Sequence, residues 1–162
     1  MKAMTVFELI MVIVVIGVLL LIAIPNIDSY FDVKLRSCAQ KIAADIRYAQ
    51  YLSIAEHKTY GVQFQAGANY YRVYEPGTGN TAIDPYTRMS MELDLDDSAE
   101  YKGVDITSVS IDSSNEVRFS SLGKPLNSTG NDLANTGQIT LSCRGRTKQI
   151  LVHPITGWVD IQ

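Results

Sequence analysis

The stretch that decides the fold is MTVFELIMVIVVIGVLLLIAIP, from Met4 to Pro25, an apolar run that contains a single carboxylate, Glu8. About 20 apolar residues in a helix rise roughly 30 Å, which matches the thickness of the hydrocarbon core of a bilayer. A carboxylate inside such a span is costly, so by default it marks a functional position. The sequence therefore predicts a transmembrane helix, assigned to residues 4–27, in which Glu8 has a role.

The charges on either side of this run predict its orientation. Lys2 precedes the run, whereas Asp28 and Asp32 follow it. Positive charges stay on the cytoplasmic side of a membrane, so the N-terminus is predicted to be cytoplasmic and the rest of the chain exported. No small-residue cleavage site of the A-x-A kind follows the run, which disfavours a cleaved secretory signal.

The helical pattern continues beyond the apolar run, through residues 28–57. Apolar and small residues recur there at steps of three and four, as in an amphipathic helix with one buried face. They are Leu35, Ala39, Ile42, Ile46, Ala49 and Ser53, with Arg36, Lys41, Asp45 and Arg47 on the other faces. Both segments together predict one helix from about Thr5 to about Ala55, interrupted at Gly17 and at Pro25, which lacks a helical N–H.

After Lys58 the pattern changes to the period of two that is typical of strands. Residues 58–162 are therefore predicted to form a globular antiparallel β domain. The predicted strands are Thr59–Gln65, Asn69–Glu75, Val104–Ile111, Glu116–Ser120, Gly137–Cys143, Lys148–His153 and Gly157–Ile161, with a long polar loop over Leu122–Gly137. The predicted fold class is α+β, a long N-terminal helix whose second half packs on the antiparallel β domain.

The segment MTVFE, followed by an apolar helix, resembles the class III signal of type IV pilins and type II secretion pseudopilins. Counted from Met4, Glu8 is fifth and Pro25 is twenty-second, the positions at which this family carries a glutamate and commonly a proline. Gly17 lies eight residues before the proline, where the family has a helix-breaking glycine. The resemblance implies that a prepilin peptidase cuts between Ala3 and Met4 and that the new amine is methylated.

The implied cut makes residues 1–3 a short leader. The family usually has glycine before the cut, and this chain has the similarly small Ala3. The resemblance continues in the helix-to-first-strand segment, residues 35–64, and in the closing strands, residues 139–161. These two segments resemble the GspH/FimT branch of minor pilins and minor pseudopilins.

This branch implies a structural subunit, not an enzyme, that uses no cofactor. The implied partners are other pilins or pseudopilins in a heteromeric filament or tip complex, the prepilin peptidase and the inner membrane. The implied location is the bacterial inner membrane, crossed once, with the β domain periplasmic or carried into an extracellular filament. Glu8 is then implied to neutralise the Met4 amine of a neighbouring subunit, which offsets the cost of burying either charge alone. The alternative is that Glu8 lies at the membrane interface without any role in assembly.

The two cysteines, Cys38 and Cys143, both follow the predicted span and would face an oxidising compartment. Cys38 lies on the packing side of the amphipathic helix, and Cys143 ends a strand of the sheet that should cover it. Two interpretations stay open. The cysteines form a disulfide that joins helix to sheet, or they are two buried thiols that pack as small apolar residues.

A basic triplet near the C-terminus is the candidate for contacts with phosphate. Arg144, Arg146 and Lys148 occupy alternate positions, so in an extended chain they share one face. DNA-uptake members of the branch resemble one another in a C-terminal Gly-Arg-x-Arg, where this chain has tryptophan and aspartate in residues 157–160. With a formal net charge of −3, the chain offers no compensating field. Nucleic acid is therefore not a predicted partner. The alternative for the triplet is three exposed basic residues without a binding role.

Catalytic, cofactor-binding and metal-binding residues are not predicted. Asp94, Asp96 and Asp97 lack the glycine and the closing glutamate of a calcium-binding loop, so they indicate a solvated acidic loop. The sequence contains no G-x-S-x-G, P-loop or H-E-x-x-H motif. The leading interpretation is a structural minor pilin or pseudopilin of a type II secretion pseudopilus or type IV pilus. The alternatives are a DNA-binding minor pilin of a competence pilus and a membrane-anchored exported enzyme that uses His57 and His153.

Overall fold

The structure, a computed structural model, describes residues 5–23, 27–85 and 87–162, without the side chains of residues 21–29. The predicted cleavage site between Ala3 and Met4 and the predicted interruption at Pro25 lie outside the described residues.

Two helices form the N-terminal part of the described chain: α1 spans Val6–Ala23 and α2 spans Ile27–Glu56. α1 continues through Gly17 without a break, so the interruption predicted there is wrong. A glycine lowers helix stability by about 1 kcal/mol, but it keeps its backbone N–H and leaves the hydrogen-bond ladder intact. Within the described residues, none of the helices has both the length and the apolar character that a membrane crossing requires.

α2 buries one face, as its periodicity predicts. The buried residues of that face are Leu35, Cys38, Ala39, Ile42, Ala43, Ile46, Ala49 and Ser53. The helix ends where His57 adopts a left-handed φ of 53° and the Lys58 N–H bonds to the Ser53 carbonyl oxygen at 3.2 Å. A left-handed residue after the last turn is a common helix terminator, because it turns the chain away from the helix axis.

Strands make up most of the regular structure after α2. They are β1 Tyr60–Gln65, β2 Tyr70–Tyr74, β3 Glu92–Asp94, β4 Asp105–Ser110, β5 Glu116–Phe119, β6 Pro125–Leu126, β7 Gly137–Cys143, β8 Arg146–Val152 and β9 Val159–Ile161. The strands form two antiparallel sheets, with the orders β3-β2-β1-β5-β6 and β4-β7-β8-β9. The seven predicted strands are confirmed, with ends that differ by at most two residues.

Two short strands at the edges of the first sheet were not predicted from the sequence. β3 lies in the acidic segment and pairs with β2, Tyr71 opposite Leu93. β6 lies in the long polar loop and pairs with β5, Phe119 opposite Pro125. Strands of three and two residues are too short to show a period of two, so only their pairing partners define them.

The turn between β1 and β2 also connects the two sheets. Ala66–Ala68 form a short 3₁₀ turn, after which Asn69 adopts a left-handed φ of 46°. The Asn69 side chain accepts the Ile106 N–H at 3.0 Å and donates to the Asp105 carboxylate at 3.1 Å, both at the start of β4. One turn residue of the first sheet therefore fixes the edge strand of the second.

The core lies between the buried face of α2 and both sheets. α2 contacts β1, β2 and β5 of the first sheet and β7, β8 and β9 of the second. The core residues of the strands that are at most 2% exposed are Val62, Phe64, Tyr71, Val73, Ile106, Val117, Phe119, Ile139, Leu141, Cys143, Ile150, Val152 and Val159. Most of them alternate along their strands with less buried residues, which is why the period of two was readable from the sequence.

Candidate assembly surfaces

α1 is apolar on all sides and exposed. Its large apolar side chains from Val6 to Leu20 are 47–79% exposed, and Glu8 is its one charged residue. A helix that is apolar all round is stable only when lipid or other protein surrounds it. α1 is therefore the first candidate contact surface.

Glu8 closes a capping box at the start of α1. Its Oε2 accepts hydrogen bonds from the backbone N–H and the hydroxyl of Thr5, at 3.2 and 3.3 Å, and Thr5 Oγ1 accepts the Glu8 N–H at 3.3 Å. The spacing T-x-x-E before an apolar run is the sequence signature of this motif, so the sequence carried the signal. A carboxylate in the first turn is also favourable to the helix dipole. The predicted partner of Glu8, the amine of Met4, lies outside the described residues.

The turn between β7 and β8 brings basic side chains to the start of α2. The Arg144 guanidinium carbon lies 4.5 Å from the centre of the Phe31 ring, and Arg146 Nη1 lies 3.6 Å from Asp32 Oδ1. Arg144 adopts a left-handed φ of 48° in the turn, so the extended alternation predicted for the triplet is wrong at that position. Lys148 lies within β8. The contacts to Phe31 and Asp32 have no signal in the sequence.

A second group of residues flanks the start of α2 on the segment before β4. Lys34 Nζ donates to the Lys102 carbonyl oxygen at 2.6 Å, and it lies 5.8 Å from the centre of the Tyr30 ring. Tyr30 is 61% exposed. The first turns of α2 therefore present an exposed aromatic ring together with cationic side chains.

At the other end of α2, Gln50 holds two turns of the β domain. Its Nε2 donates to the carbonyl oxygens of Gly123 and Thr156, at 2.7 and 2.9 Å. Leu122 and Ile155, the residues before these two, are 88% and 77% exposed. Gln50 was not predicted from the sequence, because a glutamine beside the buried stripe does not alter the helical period.

A buried polar contact fixes the middle of α2 on the first sheet. The Tyr71 hydroxyl donates to Asp45 Oδ2 at 2.6 Å, and Lys41 Nζ lies 2.8 Å from Asp45 Oδ1. Burial, with the nearby charge of Asp45, raises the pKa of Tyr71 well above its ordinary value, so the hydroxyl remains a donor. The sequence placed Asp45 on a polar face, whereas the structure buries it to 8% exposure.

Cys38 and Cys143 are both buried and free, which agrees with the second of the two interpretations. Burial raises the pKa of Cys38 to about 12, with smaller contributions from the charges of Glu100 and Cys143. The thiolate is the reactive form of cysteine, so this environment suppresses the reactivity of Cys38.

In the acidic loop, a carboxylate accepts hydrogen bonds from the backbone of the same loop. Asp94 Oδ1 accepts the backbone N–H groups of Asp96 and Asp97, at 2.9 and 3.3 Å. Among the residues that the structure describes, no group of three or more His, Cys, Asp or Glu side chains is placed to hold a metal ion. His57 lies just after α2 and His153 in the turn before β9.

Solved structures with a similar fold include a minor pilin and a minor pseudopilin. The type IV minor pilin FimU of Pseudomonas aeruginosa (strain PAO1) matches with a TM-score of 0.55 at 11% identity, over 79% of this chain and 87% of that one. The minor pseudopilin EpsH of the type 2 secretion system of Vibrio cholerae matches with a TM-score of 0.58 at 9% identity, over 80% and 96%.

The chain has a pilin-like fold. Comparison with protein-family models and with curated protein sequences finds no match. At 9–11% identity the likeness covers the fold and nothing finer. It agrees with the α+β architecture predicted from the sequence, a helix whose second half packs on antiparallel strands.

Proposed function

We propose that this chain is a minor pilin-like or pseudopilin-like subunit that is held in a membrane by its N-terminal apolar segment, residues 4–27, which includes α1, and enters a filament through the same segment. The observation that carries the proposal is the contrast within one pilin-like fold: the β domain covers one face of α2, whereas α1 is exposed on every side. The likeness to a minor pilin and a minor pseudopilin supports a structural function. The β domain supplies the folded body, and no catalytic step is assigned to it.

The proposed anchor is the apolar helix, residues 4–27, with the N-terminus in the cytoplasm and the β domain, residues 58–162, on the other side of the inner membrane. Residues 28–57 are the amphipathic link that packs on that domain. Lipid covers α1 before assembly, and the helices of neighbouring subunits cover it afterwards, because both surroundings are apolar. A prepilin peptidase is the proposed processing enzyme, cutting between Ala3 and Met4.

Glu8 is proposed to act in assembly through its charge, not through the capping box that it forms with Thr5. The capping box gives it a second role, and the two roles can be separated by substitution. Glu8→Gln retains a side chain that completes a capping box but removes the charge, whereas Thr5→Ala removes the cap and retains the charge. If the charge selects the register of neighbouring subunits, only the glutamine variant loses incorporation into filaments.

The test compares the wild-type chain with both variants in the host cell. The measurement is the fraction of the chain recovered in sheared filaments and in cross-links to other pilins. We expect a severalfold loss for Glu8→Gln and near-normal incorporation for Thr5→Ala. A loss in Thr5→Ala with near-normal incorporation of Glu8→Gln would assign Glu8 to the cap alone, and equal losses in both variants would contradict a role of the charge that is separate from the cap. A wild-type chain that never cross-links to another pilin would refute the structural function itself.

Intact-mass analysis of the membrane-extracted chain tests the processing step. A mature chain that begins at Met4 with a methylated amine is expected. A chain that begins elsewhere would place Glu8 outside the fifth position and remove the basis for its pairing with a neighbouring N-terminus.

A further inference from the structure

We infer that the start of α2 and the two segments of the β domain beside it form a docking surface for anionic phospholipid. This surface, the basal collar, consists of Tyr30, Lys34, Lys102, Arg144 and Arg146. It rests on the proposed function, because it requires α1 to lie in a bilayer.

The basal collar is close to the end of α1 by chain connectivity alone. Tyr30 lies seven positions after Ala23, the last residue of α1, and even a fully extended chain of that length reaches only about 25 Å. Contacts within the structure bring the rest of the collar to the same place, since Arg144 and Arg146 contact Phe31 and Asp32. When α1 spans a bilayer, the collar therefore lies beside the headgroups on the side of the β domain.

The charges of the collar are locally opposite to those of the whole chain. The chain carries a formal net charge of −3, yet the collar brings four cationic side chains together at one end. Among the side chains that the structure describes, Asp32 lies 3.6 Å from Arg146 and Glu100 lines a cleft with Tyr30 and Lys34. Clustered Lys and Arg side chains are attracted to a surface of anionic lipid headgroups, and tyrosine is enriched at both membrane–water interfaces.

The cationic groups keep donors available for phosphate. Arg144 packs over the Phe31 ring with its guanidinium carbon, an interaction that uses the face of the group and not its five N–H donors. Arg146 and Asp32 are a loose pair at 3.6 Å, and their side chains are 42% and 52% exposed. A buried, bidentate ion pair would instead keep the Arg146 guanidinium away from a lipid phosphate.

The geometry also distinguishes the headgroup phosphate from the phosphates of DNA. A DNA site needs a row of cations that follows the phosphate backbone. Here Arg144 leaves the strand in a left-handed turn and packs on the helix, so the triplet does not form such a row. The collar surrounds the start of a helix, which fits a planar membrane around that helix.

The test uses the full chain reconstituted in vesicles of phosphatidylcholine alone or with 30% phosphatidylglycerol. A fluorophore on Thr147→Cys, next to Arg146, reports proximity to a lipid that carries a quencher in its headgroup, and Thr129→Cys in the distant loop serves as the control position. The buried native thiols remain unlabelled. Quenching at Thr147→Cys is expected with phosphatidylglycerol, and is expected to disappear at high salt.

Two charge-matched variants decide the assignment. Arg144→Gln/Arg146→Gln is expected to lower the ratio of docked to undocked domains at least tenfold, at about fivefold for each cation removed. Lys58→Gln/Lys124→Gln, away from the collar, is expected to leave the ratio unchanged. Equal quenching in both lipids, or equal effects of both double variants, would overturn the lipid surface.

Two further outcomes separate this inference from the function on which it rests. Loss of the wild-type chain from the vesicles on alkaline extraction would refute the anchor, and the collar with it. Micromolar binding of a DNA duplex at physiological salt, abolished by Arg144→Gln/Arg146→Gln, would reassign the surface to nucleic acid. We expect DNA affinity no tighter than the non-specific range of about 10⁻⁴ M.

Discussion

α1 and α2 are consecutive helices of one chain, and they differ in what surrounds them. α2 has a buried stripe that repeats at helical spacing, and the β domain covers that stripe. α1 is apolar without a stripe, and its large side chains from Val6 to Leu20 are at least 47% exposed. The difference shows where each helix finds its partner. A one-sided pattern finds it in the same domain, whereas an all-round pattern requires lipid or another molecule.

The largest expected effect is in thiol reactivity on the two faces of α2. Because the pKa of Cys38 is raised to about 12, its thiolate fraction near pH 8 should be about a thousandfold below that of an ordinary cysteine. A cysteine introduced by Ala44→Cys, on the exposed face of the same helix, should react at the ordinary rate. Stopped-flow labelling of the native chain measures both rates.

The same reagent tests the disulfide interpretation. Two labelled sulfurs per chain are expected after unfolding without a reductant, since both native cysteines are free. Labelling of neither native cysteine would mean that the chain joins helix to sheet by a covalent bond.

The next effect is in the stability of the β domain. Ile46 is fully buried under the sheets, and truncation of a buried isoleucine to alanine costs about 2–5 kcal/mol. Val14→Ala, in exposed α1, should change the free energy of unfolding of the domain by less than about 0.5 kcal/mol. Chemical denaturation of both variants in the same detergent, followed by near-ultraviolet circular dichroism, measures the difference. Similar losses would mean that α1 is part of the cooperative domain.

A smaller effect on the free energy of unfolding is expected in the turn before β9, to which Gln50 of α2 donates a hydrogen bond. Gly157 has a φ of +68°, and a Cβ there would lie 2.7 Å from Gln50 Nε2 and 2.9 Å from a Phe119 ring carbon. Gly157→Ala should therefore cost about 1–3 kcal/mol. Gly145→Ala is the matched control, with a φ of +81° and open space around the added atom. It should lose less, and an equal loss would mean that backbone strain alone accounts for both.

The smallest expected effect is at Asp112, in the turn between β4 and β5. Its carboxylate accepts the backbone N–H groups of Ala134 and Asn135, at 2.7 and 3.2 Å, and these bonds lower its pKa. The stabilisation is therefore present above the unfolded pKa of about 4 and is lost as the pH falls through the lower folded value. Asp112→Asn should flatten this acid limb in a pH series of unfolding midpoints. An unchanged limb would mean that other carboxylates dominate it.

Much of the fold was readable from local patterns. The buried face of α2 and the seven predicted strands each repeat at a period that a short window shows. The capping box of Thr5 and Glu8 was also present in the sequence as T-x-x-E, although the roles predicted for Glu8 were assembly or a position at the membrane interface. β3 and β6 could not be predicted from the sequence, because strands of three and two residues have no period of their own.

The sequence by itself determined that an all-apolar helix precedes an amphipathic one and that β strands follow, because hydrophobic periodicity reflects the environment of each segment. Only the tertiary structure decided which side chains meet. Gln50 holds carbonyl oxygens 73 and 106 positions away along the chain, and Arg144 finds Phe31 across the fold. Such contacts depend on how the helix lies across both sheets, and that placement is a property of the whole packed core, not of any local stretch.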